Sequence, residues 1–179
     1  MQTPTTTAIE GLVVTFSRFI ADERGYLAEL VPNGTDNPQA KEGIKNIYLS
    51  AATGNAPRAG HYHFRQTENF FVINGSALWA FYDYRKNSPT FGAIATVILT
   101  DGKERVVKGE TPTYQQGEQG MPGITVPVGV YHVYWPLGKD SVQVICVASE
   151  PYDASDYVHS KPEDVPGIMD AVNNVASAV

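Results

Sequence analysis

Three of the four histidines in this chain fall into a spacing that could hold a metal ion. His61-Tyr62-His63 is followed by Glu68 and then Gly75, and much later Pro127-Val128-Gly129 is followed by His132. The first cluster reads H-x-H, four residues, E. The second reads P-x-G-x-x-H. Three imidazoles and one carboxylate make a nitrogen-rich ligand set that suits a borderline divalent metal such as Zn, Fe, Mn, Ni or Cu. An isolated histidine is more simply a hydrogen-bonded structural residue; the metal reading rests on the four residues together.

Strands are the elements that must position these groups. In a strand, residues i and i+2 share a face, so His61 and His63 point the same way. Thr67-Glu68-Asn69 reads as a turn, and Phe70-Phe71-Val72-Ile73 is a β-prone apolar run. If that run returns antiparallel to the histidine strand, Glu68 stands opposite the pair. Asn74-Gly75 is a hairpin signal, and the next strand is Ser76 to Tyr82. His132 must come from a distant strand that a closing barrel brings near. Further strands are read at Leu12 to Phe19, Tyr26 to Leu30, Ile44 to Ser50, Ala93 to Leu99 and Val142 to Val147, with a turn at Asp22-Glu23-Arg24-Gly25. Residues 33–41 and 51–57 read as loops. Residues 110–122 read as an exposed loop near the barrel mouth, residues 1–8 as a loose arm and residues 165–179 as a C-terminal helix.

Composition agrees with an all-β chain that forms a single domain over residues 1–179. It has 16 Gly and 12 Pro punctuating short apolar runs, with 18% charged and 11% aromatic residues. A net charge of −6 argues against a nucleic-acid surface. The single cysteine, Cys146, excludes an intramolecular disulfide and reads as a buried strand residue. No apolar run reaches membrane-spanning length, and the N-terminus lacks the pattern of a secretory signal, so a cytoplasmic protein is expected. His159 reads as a surface residue.

The two motifs resemble the signature motifs of the cupins, which implies a double-stranded β-helix, or jelly-roll barrel, with a short C-terminal helix. Other stretches resemble the sugar-nucleotide cupins, namely the dTDP-4-dehydrorhamnose 3,5-epimerases and the dTDP-4-keto-6-deoxyhexose 3,4-ketoisomerases. These are Asp22 to Glu29 (D-x-R-G-x-(F/L)-x-E), Arg58-Ala59-Gly60-His61, Asp83 to Gly92 (D-x-R-x-x-S-P-T-F-G) and Ser149 to Tyr157 (S-E-x-Y-D-x-S-D-Y). The resemblance implies proton transfer next to the carbonyl of a nucleotide-linked keto-sugar, in a homodimer. It also implies that Arg24 and Glu29 contact the nucleotide and Arg58 the sugar or diphosphate.

The departures from that pattern bear on mechanism. The 3,5-epimerases are metal-free, carry Lys at the position of Glu68, and use a Tyr acid on the strand after the second motif. Here that strand, Val142 to Val147, has no Tyr. Two schemes stay open. With a bound divalent metal, His61, His63, Glu68 and His132 are ligands, and Tyr48, Tyr134 or a metal-bound water carries the proton. Without a metal, His61 is the general base and Tyr48 or Tyr134 the acid. Two other classes are a metal-dependent cupin dioxygenase and a sugar-nucleotide-binding cupin without catalysis.

Overall fold

A computed structural model describes residues 5–31, 41–54, 56–103, 109–138 and 141–177. Strands dominate it. The first sheet takes β1 (Thr5–Thr6), β2 (Val13–Ser17), β5 (Asn46–Ala52), β7 (Glu68–Asn74), β11 (Met121–Val126) and β13 (Val142–Ala148), in the order β1-β2-β11-β7-β13-β5. The second takes β6 (Arg58–His63), β8 (Ser76–Asp83), β9 (Ile94–Thr100), β10 (Thr113–Gln115), β12 (Val130–Leu137) and β14 (Tyr157–His159), in the order β10-β9-β8-β12-β6-β14. A separate ribbon pairs β3 (Phe19–Asp22) with β4 (Gly25–Ala28).

The inner faces of the two sheets supply one apolar core. Val14, Phe70, Ile124 and Val144 of the first sheet join Trp79, Phe81, Val97 and Tyr134 of the second. β8 is buried along its whole length, so both its faces are covered. Its outer face, with Leu78 and Ala80, packs under the helix α1 (Ile168–Ser177), whose Ile168, Val172 and Val175 recur at helical spacing. The helix begins later than residue 165. Pro162–Asp164 forms a 3-10 turn and Gly167 adopts a left-handed φ of +71° before the first helical turn.

Several local readings shift. Leu12 to Phe19 is not one strand, because the chain breaks at Arg18 and enters the β3–β4 ribbon. The ribbon's turn is Glu23-Arg24, as the Asp-Glu-Arg-Gly signal suggested. Thr5–Thr6 pairs with Val13 and Val14, so the arm read over residues 1–8 is held from Thr5 onward. Asn74-Gly75 is not a hairpin but a corner between sheets. Gly75 takes φ +78°, donates its N–H to Asp101 Oδ2 while its carbonyl accepts from Asp101 N, and a Cβ there would stand 2.9 Å from the Ser141 carbonyl oxygen. The loop read at residues 110–122 contains β10, which pairs parallel with β9. The polar loop at residues 33–41 lies almost wholly outside the described residues.

The D-x-R-x-x-S-P-T-F-G element is a structural clip. Asp83, with no exposed surface, accepts from Arg85 N and Nε, Arg85 Nη2, Ser88 Oγ and Thr90 Oγ1 at 2.7–2.9 Å. Arg85 Nη2 also donates to the Glu10 carbonyl and Glu10 N to Thr90 Oγ1, which ties the turn before β2 to the second sheet. Burial pushes the Asp83 carboxyl up, but the bonds from Arg85, Thr90 and Ser88 together outweigh it and hold it below its ordinary range. A depressed carboxyl stabilises the fold fully above its unfolded pKa of about 4 and progressively less as pH falls toward the folded value. Asp83→Asn is expected to cost about 3 kcal/mol at pH 7. Urea unfolding from pH 7 to 3 should then show a smaller loss of stability on acidification in the variant than in the wild type.

Candidate metal and proton-transfer site

His61, His63, Glu68 and His132 meet between the two sheets. Each offers one ligand atom, and these atoms all lie within 4.8 Å of one another. His61 and His63 share a face of β6, as the alternation predicts, and Tyr62 turns the other way to pack beside Tyr84 and Phe64. His132 on β12 stands directly opposite His61 in the antiparallel register. Glu68 gets there by another route than the expected one. It is the first residue of β7, not part of a turn, and β7 pairs with β11 and β13 instead of β6. The carboxylate therefore reaches the histidines across the gap between the sheets.

The surroundings orient two of the imidazoles. Glu68 Oε2 lies 3.1 Å from His63 Nε2 and 3.0 Å from His132 Nε2. On the far side of each ring, His63 Nδ1 is 3.3 Å from Asp156 Oδ2, and His132 Nδ1 is 3.2 Å from the Val130 carbonyl oxygen. The Val130 carbonyl behind Nδ1 keeps the His132 proton there and leaves its Nε2 free to bind a cation, whereas His63 Nε2 is hydrogen-bonded to Glu68 and its Nδ1 approaches Asp156 without a hydrogen bond. Asp156 is itself fixed by the backbone N–H groups of Phe64, Arg65 and Gln66. Both nitrogens of His61, and His132 Nε2, are buried without a hydrogen-bond partner; the His132–Glu68 approach is close but not aligned as a hydrogen bond. Buried polar atoms without partners are uncommon in folded proteins. Here they converge on one carboxylate, and that donor set fits a divalent cation.

The electrostatics agree. Burial, and next the neighbouring His132, push the His61 imidazole down to about 2, so it is neutral at pH 7, the form that binds a cation or accepts a proton. Burial raises Glu68, but its contacts with His132 and His63 outweigh that and hold it ionised. Glu68 is 1% exposed. An ionised carboxylate buried that deeply needs positive charge or several donors around it.

A cavity of about 350 Å³ opens onto His61 and His132. Tyr48, Arg58, Tyr134, Cys146, Tyr157 and His159 also line it. The Tyr48 hydroxyl donates to Glu68 Oε1, and burial, then the Glu68 charge, push that phenol above its ordinary value. Tyr134 shares a 2.7 Å hydrogen bond with Ser50 Oγ and is likewise raised by burial. Cys146 is the buried β13 residue expected, and burial pushes its thiol up.

Tyr157 and His159 are site residues that sequence reasoning missed. β14 pairs with β6 so that His159 stands opposite His61, and the His61 and His159 rings lie 5.3 Å apart. His159 is exposed, as expected, yet it forms part of the site wall. The S-E-x-Y-D-x-S-D-Y match was the one available signal. Arg24 and Glu29 belong to the β3–β4 region, where Arg24 pairs with Asp22 at 2.5 Å and Glu29 with Arg18 at 3.8 Å. Arg24 lines a separate cavity there. None of the described residues of the 110–122 segment lines the His61 cavity.

A family model described as dTDP-4-dehydrorhamnose 3,5-epimerase matches residues 6–108, more than half of the chain. The chain belongs to this family. It is accordingly a sugar-nucleotide epimerase or isomerase, which sets aside the dioxygenase reading. The matched segment holds His61, His63 and Glu68 but not His132, which comes from beyond it. Two relatives extend the likeness. The spore coat polysaccharide biosynthesis protein SpsL of Bacillus subtilis is 29% identical over 145 residues, 81% of this chain and 83% of that protein. The probable low-salt glycan biosynthesis epimerase Agl13 of Haloferax volcanii is 26% identical over 76% of each chain. The solved dTDP sugar isomerase of Desulfovibrio desulfuricans superposes with a TM-score of 0.73 at 20% identity, covering 92% of both chains, and shows the same fold. The family is in general cofactor-independent. The His61, His63, Glu68, His132 cluster is where this member invites a different chemistry.

Proposed function

We propose that this family member is a metal-assisted epimerase or ketoisomerase of a dTDP-linked keto-sugar, built as one cupin jelly-roll domain that works as a cytoplasmic homodimer. His61, His63, Glu68 and His132 would hold a divalent Zn, Fe, Mn or Ni ion. The observation that carries this is the convergence of three imidazoles on one buried, ionised carboxylate, with both His61 nitrogens unpartnered. The ion would supply Lewis acidity toward the substrate carbonyl.

The chain's own groups do the rest. A C–H beside a ketone is weakly acidic, so its removal needs a positioned base and its return a positioned acid. Tyr48 and Tyr134 keep their protons on the cavity wall and are the acids available there. Arg58 at the cavity edge suits the anionic part of the substrate. Asp156 and the Val130 carbonyl fix His63 and His132.

Incubation with a dTDP-4-keto-6-deoxy sugar in deuterated water tests the reading. Deuterium should enter at the carbon next to the carbonyl, followed by mass spectrometry and proton resonance of the sugar, and chelation should abolish it. Tight binding of the sugar nucleotide with no exchange would leave only a binding protein. Full exchange in chelated, metal-free protein would return His61 to the role of base.

A further inference from the structure

A buried amide borders the candidate ligand cluster. Gln66, 2% exposed, lies in the crossing between β6 and β7. Its backbone N–H donates to Asp156 Oδ2 at 3.2 Å, which fixes where its side chain starts. Its Nε2 stands 3.4 Å from His63 Nε2, and the same side chain hydrogen-bonds Tyr157 on the cavity wall.

Two contacts compete at His63 Nε2. Glu68 Oε2 is 3.1 Å from it and the Gln66 NH2 3.4 Å. A neutral imidazole nitrogen carries either one proton or one lone pair. With the proton, it donates to Glu68 and turns an N–H against the Gln66 NH2. With the lone pair, it accepts from Gln66 and faces a carboxylate that offers only lone pairs. One contact is repulsive in each case. The two ends of an amide have nearly the same shape and opposite hydrogen-bonding character, and the oxygen end removes the conflict. A cation among His61, His63, Glu68 and His132 makes the same demand. Imidazole lone pairs then turn inward, an NH2 beside them is repelled, and a glutamine carbonyl oxygen is attracted as a ligand. Donor atoms that each lie about 2.0–2.2 Å from one ion stand about 3–3.5 Å from one another. The 3.4 Å between Gln66 and His63 is of that size, like the 3.0 and 3.1 Å between Glu68 Oε2 and the His132 and His63 Nε2 atoms.

We infer that Gln66 is a fifth donor of this site, with its carbonyl oxygen turned to the cation beside His63. This rests on the metal-assisted reading above and adds a residue that neither histidine motif contains. An amide oxygen beside three imidazoles and a carboxylate favours an ion that accepts more than four ligands, Mn or Fe, over a closed four-coordinate Zn. The Gln66 NH2 is then left for the Tyr157 oxygen, and the Tyr157 O–H is free for the cavity.

Titration of Co(II) into chelator-stripped wild type, Gln66→Leu and Gln66→Glu, followed by visible absorption, tests the assignment. Leucine is similar in size and has no donor. In Gln66→Leu the Co(II) bands should shift, because a ligand of the ion has gone, and Co(II) affinity should fall about 10–100-fold. Gln66→Glu keeps an oxygen in place and should bind Co(II) at least as tightly as the wild type. Unchanged bands in Gln66→Leu, or weaker Co(II) binding in Gln66→Glu than in the wild type, would overturn this inference and leave a four-residue site. A wild-type protein that takes up no Co(II) would overturn it together with the metal reading.

Discussion

Elemental analysis of protein purified without an affinity tag is expected to find close to one divalent metal per chain, and Glu68→Gln is expected to lose most of it. Glu68 is the sole anion of the cluster, and its Oε2 stands within 3.1 Å of two imidazole Nε2 atoms. Replacing a group that merely supports a ligand costs about 10–100-fold in metal affinity; removing the charged ligand should cost more. Thermal unfolding adds a test whose outcome differs between the two schemes. Bound metal stabilises the native state, by about 2.7 kcal/mol at a concentration 100 times its Kd. A chelator should therefore lower the melting temperature of the wild type and leave Glu68→Gln unmoved. In a metal-free protein a chelator should move neither melting temperature, and Glu68→Gln should be less stable than the wild type, because it loses the contacts that hold Glu68 ionised. No metal in either protein, with no chelator shift in the wild type, would make His61 the base and end the ligand assignment.

The candidate His61, His63, Glu68 and His132 cluster was legible in the sequence because metal chemistry needs particular residue types, and a strand's period of two fixes which of them share a face. His61 and His63 project together while Tyr62 faces away, as that period requires. What the spacing could not convey was which strands become neighbours. β6 and β7 are adjacent in sequence yet lie in different sheets, because the chain crosses over at residues 64–67, where the Phe64, Arg65 and Gln66 N–H groups donate to Asp156 in place of a hairpin ladder. Glu68 arrives by tertiary packing, not by pairing. The same limit hid Asp156, Tyr157 and His159. Asp156 ends a 3-10 turn, and Tyr157 and His159 follow in a three-residue edge strand placed by its register with β6. Such a short strand has no periodicity to detect. The helix start moved from residue 165 to Ile168 for a local reason: Gly167 takes a backbone angle that a helix cannot contain.

Tyr48→Phe is expected to reduce turnover by about 10²–10⁴-fold, the usual contribution of a positioned acid, and to separate proton exchange from epimerisation. Tyr48 and Tyr134 both keep their protons at neutral pH, but they are tied differently. The Tyr48 hydroxyl reaches Glu68 Oε1, which places its proton beside the ligand cluster. The Tyr134 hydroxyl is occupied by Ser50 and lies near Arg58, farther from the reacting centre in its connections. We propose on this ground that Tyr48 is the donor and that Tyr134 positions Arg58. A variant lacking the donor still allows the group that removes the proton to return it to the same face. Substrate recovered from Tyr48→Phe in deuterated water should thus carry deuterium with its configuration unchanged. Tyr134→Phe should raise KM more than it lowers kcat. Metal content measured on the same Tyr48→Phe sample should match the wild type, since the phenol is not a ligand. Wild-type turnover in Tyr48→Phe, or loss of exchange and epimerisation together with metal retained, would take the donor role away from Tyr48. The first result would pass it to Tyr134, and the second would make Tyr48 part of the proton-removing machinery.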